Sequence, residues 1–133
     1  MGTMKIGTID EIVINALSLS LDPDTPIFIG ETNIQHMKDK HPADFLKYGD
    51  KLGEILQSPD FVAEHPTQHS IEFIKKYYDE EKEDYVLVAV RATNSGIHFA
   101  KTLFVMSDIK VEQYSKKNAL KPYKKALTQR ARA

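Results

Sequence analysis

The plainest pattern in the chain is a pair of strand-like runs around a turn. Tyr85-Val86-Leu87-Val88-Ala89-Val90-Arg91 is rich in β-branched residues and predicts a strand. Asn94-Ser95-Gly96 tolerates positive φ and predicts a tight turn. The segment 97–106 reads as the return strand: Ile97, Phe99, Lys101, Leu103 and Val105 alternate with His98, Ala100, Thr102 and Phe104. Two further runs, Phe61-Val62-Ala63-Glu64 and the alternating segment 70–78, predict additional antiparallel strands with one wet face.

The first half of the chain has a helical period instead. Ile9, Ile12, Val13 and Leu17 fit one face of a helix within 6–21, with Asp10 or Thr8 as its cap. Asp22-Pro23-Asp24-Thr25-Pro26 breaks any regular element, and Ile27-Phe28-Ile29 predicts a short strand ending at Gly30. A helix follows over 31–41, capped by Thr32 or Asn33, with Ile34, Met37 and His41 on one stripe. Pro42 ends it and suits the first turn of the next helix, over 42–57. Gly49 and Gly53 weaken that helix and predict a kink near Gly49. The acidic stretch 79–84 predicts a loop, and the segment after Asp108 a helix or one more strand. Helices segregated ahead of strands argue for an α+β layer, not a doubly wound sheet.

Composition narrows the picture. With 133 residues the chain has room for one core. It has no cysteine, which excludes disulfides and thiolate metal sites. It shows no apolar run of spanning length and no basic-then-apolar leader, so a cytoplasmic protein with no membrane partner is expected. The near-zero net charge of −1 hides an asymmetry. Between 110 and 133 eight Lys and Arg stand against Glu112 alone, a surplus of +7 balanced by acidic residues elsewhere. That polarity suits an anion-binding surface or a solvated basic tail.

Five histidines carry the candidate chemistry: His36, His41, His65, His69 and His98. His36 and His41 are five residues apart, about 140° round a helix, so they do not form an i, i+4 zinc pair. His36 shares a face with Lys40. His65 and His69 lie between strands; with Glu64 they are the residues a metal-dependent hydrolase would use, while a solvated loop is the plainer reading. The return strand carries His98, Lys101 and Thr102, with Arg91 near the turn. Alternation places His98, Ala100 and Thr102 on one face and Lys101 on the other. A cleft offering His, Lys, Arg and a hydroxyl suits phosphate chemistry without a metal, because the ribose 2′-OH of RNA can attack the adjacent phosphorus itself. Gly-rich phosphate loops, G-x-S-x-G elbows, thiol nucleophiles and EF-hand loops are absent from the sequence.

A set of pieces between residues 26 and 107 follows one pattern: Ile27-Phe28-Ile29, His36 through Lys40-His41-Pro42, Tyr48 to Leu56, Ser58-Pro59-Asp60, Ile71-Glu72-Phe73, Val86 to Val90 and Ala100-Lys101-Thr102-Leu103-Phe104. It resembles the phage-associated barnase–EndoU–colicin–RelE-like (BECR) nuclease domains. The resemblance implies N-terminal helices packed on a curved antiparallel sheet of about four strands, and RNA cleavage in a groove across it. By position it makes His36, His41, Lys101 and Thr102 the catalytic candidates. Lys40, Arg91, His98, Lys116 and Lys117 are the expected substrate-binding residues, the last two in the basic tail. The organisation expected is a helical extension over 1–24, the nuclease-like domain over 25–115 and the tail over 116–133. The expected activity is that of a metal-independent endoribonuclease with no cofactor, of toxin or phage-effector type, acting on RNA and open to inhibition by an antitoxin or immunity protein. The alternative is a non-catalytic RNA- or protein-binding module on the same fold.

Overall fold

The computed structural model describes residues 2–124. The chain opens with a strand, β1 (Met4–Ile9), and not with the helix expected from residue 6. Helix α1 (Glu11–Leu17) starts where its cap allows: Asp10 accepts a hydrogen bond from Val13 N at 3.0 Å. Residues ahead of that cap pair instead with β2 (Thr25–Ile29), antiparallel and with a bulge between Lys5 and Gly7. The segment before residue 25 is therefore half strand, and it supplies Ile9 and Val13 to the core.

Helix α2 (Glu31–Lys40) starts after Gly30, so Thr32 and Asn33 lie inside it. Asn33 Oδ1 reaches back to accept from Gly30 N at 2.9 Å, satisfying a donor at the helix start. His41 leaves the helical region (φ −138°, ψ 66°), as the following proline demands, and α3 (Pro42–Tyr48) begins at once. The kink expected at Gly49 is a full break: a 3₁₀ turn over Gly49–Lys51, then α4 (Leu52–Gln57). A Cβ at Gly49 would come within 2.9 Å of the Phe45 ring, so the close turn needs glycine.

Four strands follow: β3 (Phe61–Glu64), β4 (Ile71–Asp79), β5 (Lys82–Ala92) and β6 (His98–Val105). The acidic segment expected to loop out is mostly strand, with only a tight turn at Glu80 and Glu81. Its Asp84 is buried, where the Tyr48 hydroxyl donates to it at 2.5 Å and Lys47 Nζ at 3.3 Å. The chain then forms helix α5 (Asp108–Lys116) and the two-residue β7 (Lys121–Pro122). Residues 125–133, which hold the rest of the expected basic tail, lie outside the described residues.

The sheet is curled and has seven strands, in the order β1-β2-β6-β5-β4-β3-β7, where about four are expected. The additional strands are short or terminal, and only pairing with distant segments makes them strands. All neighbours are antiparallel except β2 and β6, which run parallel through Ile27–His98 and Phe28–Phe99. Helices α1 to α4 cover one face, where Ile27, Phe73, Val88, Leu103 and Met37 are fully buried. Helix α5 lies on the other face, packing Val111 and Tyr114 against Ile74, Leu87 and Ala89. β5 is consequently buried on both faces at its centre, which explains its unbroken Val/Leu/Ala run.

Candidate active site

Cross-strand register decides which side chains share the second face, the one beneath α5. Paired residues point to the same side. One row runs Ala63, Glu72, Ala89, Thr102 across β3, β4, β5 and β6. In the next row, Arg91 of β5 pairs with Phe99 of β6, which pairs with Phe28 of β2.

The row containing Thr102 depends on a bulge. Ala89 pairs with Thr102 but Val90 pairs with Ala100, which leaves Lys101 as an extra residue in β6. The bulge overturns strict alternation. His98, Ala100 and Leu103 share the core face, while Thr102 goes to the second face with Phe99 and Phe104. Lys101 and Thr102, both half-buried, stand side by side in the bulge.

Glu72 is the group this face is built around. It is 4% exposed, and the Tyr114 hydroxyl donates to its Oε1 at 2.8 Å. Burial pushes its carboxyl above the usual carboxylate range; the Tyr114 hydrogen bond, the His65 ring and the Lys110 ammonium each pull it part of the way back. The Tyr114 hydroxyl is in turn pushed up by burial and by its bond to Glu72. His65 has a fixed orientation. Its Nδ1 accepts from Thr67 N at 3.2 Å and Gln68 N at 3.1 Å, so the neutral ring carries its proton on Nε2. Arg91 is anchored where its row meets the loop: its Nε donates to Ser70 Oγ at 3.2 Å and its Nη2 to Gln68 Oε1 at 2.9 Å.

The expected site residues thus divide. Register puts Thr102 and Arg91 on the second face, with Lys101 beside Thr102 in the bulge. His41 lies at the rim of that face, with its ring 5.2 Å from that of Phe104, two residues beyond Thr102. His36 and Lys40 are exposed on α2, and Lys116 and Lys117 are exposed at the end of α5. His98 does not belong with them: it is 7% exposed on the core face, and its Nδ1 is buried without a hydrogen-bond partner. Burial and the bulge upstream of Thr102 place it on the face opposite to Thr102. Its imidazole is held below the usual range by burial, against a bond to the Gly96 backbone that acts the other way.

Sequence reasoning missed Glu72 and Tyr114 and assigned His65 to a solvated loop. A glutamate flanked by Ile71 and Phe73 inside a strand pattern was the available signal, since an unpaired buried carboxylate is rare. His69 Nδ1 lies 4.0 Å from Glu64 Oε2, yet among the described residues no three His, Asp or Glu converge to hold a metal ion.

A family model described as phage-Barnase-EndoU-ColicinE5/D-RelE like nuclease3 matches residues 4–113. The chain belongs to this family. No curated protein and no solved structure matches it significantly. The match takes in β1 and α1 as well as the sheet. It ends within α5, one residue before Tyr114. Among the described residues of this BECR-family chain, no helix is long and apolar enough to cross a membrane.

Proposed function

We propose that the second face of the sheet cleaves RNA without a metal, by attack of a ribose 2′-OH on the adjacent phosphorus. The observation that carries this reading is Glu72, a buried carboxyl with a raised pKa, in register with Thr102 and one row from Arg91. A raised carboxyl is a better proton acceptor near neutral pH, which is what deprotonating a hydroxyl requires. Glu72 takes the 2′-OH proton. The Lys101 ammonium gives a proton to the leaving 5′ oxygen, and His65 donates a hydrogen bond from its Nε2 to the phosphate. Arg91, Lys101 and Thr102 hold the phosphate and stabilise its added negative charge. The products are a 2′,3′-cyclic phosphate and a 5′-hydroxyl, and atoms balance with no co-reactant.

His41 stands at the groove rim and contacts substrate rather than reacting atoms. His36 lies outside the reacting centre. Lys40, Lys116 and Lys117 attract the backbone at longer range. An RNase of this kind suits a toxin or phage-carried effector held in check by an antidote protein.

The test is incubation of purified protein with labelled RNA in EDTA, with the cyclic phosphate detected by mass. Wild type should cleave, while Glu72→Gln and Lys101→Ala should each lose about 10²–10⁴-fold. His36→Ala should keep its rate. Absence of cleavage by wild type, or equal cleavage by Glu72→Gln, sinks the proposal; RNA binding with no turnover would point to a binding module.

A further inference from the structure

Two phenylalanines on the second face have no core to belong to. Phe28 and Phe99 are half-buried, face each other across the parallel β2–β6 pair, and hold their ring centroids 6.3 Å apart at 49°. Neither joins the hydrophobic cluster beneath α1–α4 or the one beneath α5. Apolar rings on a strand ordinarily pack into one or the other. What they adjoin is charge: Phe99 is paired with Arg91, and Lys101 lies two residues along the same strand.

The row therefore runs Arg91, Phe99, Phe28, Lys5, with a cation at each end of the ring pair. Adjacent strands are about 4.8 Å apart, so a phosphate on Arg91 puts the attached nucleotide's base over Phe99 and Phe28. We infer that Phe28 and Phe99 form a stacking platform for one unstacked base of single-stranded RNA, next to the phosphate that Arg91 and Lys101 hold. The inference rests on the proposed RNA site and adds the substrate's form. Duplex RNA keeps its bases stacked and paired, whereas a single strand offers a free ring face.

The experiment is a binding measurement that needs no cleavage. A short 2′-O-methyl oligoribonucleotide, which cannot undergo 2′-OH attack, is compared with the same backbone lacking its bases. Wild type should bind the base-carrying strand at least tenfold more tightly. Phe28→Leu and Phe99→Leu keep the apolar bulk and lose the aromatic face. Each should weaken the base-carrying strand about tenfold and leave the abasic strand unchanged. Phe99→Tyr should restore binding, and Arg91→Ala should weaken both strands. Thermal melts establish that every variant is folded.

Equal affinity of wild type for both strands overturns the platform, as do Leu variants that weaken both strands alike or neither. If wild type prefers the base-carrying strand yet cuts no RNA, the platform stands and the proposed chemistry falls. If wild type cuts RNA and the Leu variants match its kcat/KM, the chemistry stands and the platform falls.

Discussion

Glu72→Gln separates catalysis from stability, because it should lower the first and raise the second. The carboxyl is buried at 4% exposure and held above its ordinary range, chiefly by burial. A carboxyl whose folded pKa exceeds its unfolded one stabilises the fold only while protonated. That contribution is fully present below about pH 4 and is lost as pH rises through the folded value. Above the unfolded value the ionised form is penalised in the folded chain, and each tenfold rise in proton affinity on folding corresponds to about 1.4 kcal/mol. Gln has the same volume, offers an oxygen to the Tyr114 hydroxyl, and never ionises. Glu72→Gln should therefore melt higher than wild type at pH 7, by about 4 °C for each kcal/mol in a domain of this size. The difference should shrink towards zero at pH 4, while RNA cleavage falls about 10²–10⁴-fold. Calorimetry at the two pH values beside a cleavage assay gives both readings. A variant that melts lower than wild type by the same margin at both pH values would refute the penalty on the ionised carboxyl. Undiminished cleavage would refute its role as base.

Other consequences follow from the same geometry. His98 is held below its usual range by burial, so the unfolded chain binds its proton first and stability is lost as pH falls below about 6.5; the acid sensitivity of wild-type melts between pH 7 and 5 should be smaller in His98→Leu. Tyr48→Phe removes a 2.5 Å hydrogen bond to buried Asp84 and should cost about 1–3 kcal/mol in urea unfolding at neutral pH. Asp44 accepts from Val105 N at 2.9 Å, on the stretch of β6 beyond its pairing with β2, so Asp44→Ala should lower stability by about 1 kcal/mol and speed hydrogen exchange at Val105. Arg91→Ala should reduce the slope of RNA affinity against log salt by roughly one contact, and an unchanged slope would detach Arg91 from the phosphate.

The hairpin of β5 and β6 was legible because its evidence is local: β-branched runs, a turn with glycine, and lengths that suit strands. The same is true of the stop at Pro42 and the Asp10 cap. β1 was not legible, since Met4 to Ile9 become a strand only by pairing with β2, and the nearby helical spacing of α1 concealed that. The Lys101 bulge was equally hidden. One unpaired residue leaves no mark on alternation in the sequence, yet it reverses which of Lys101, Thr102 and His98 can reach the second face.

What the sequence determined by itself is the α+β class, the inventory of possible acids, bases and cations, and the family. What only the tertiary structure decided is which of those groups meet. Glu72 stands on a different strand from Arg91 and Thr102, and strand register alone puts all three on one face. The burial that raises Glu72 depends on α5 folding back over the sheet to place Tyr114 on it, more than 40 residues downstream. Propensity acts over a few neighbouring residues, whereas a site on a sheet face is assembled across strands.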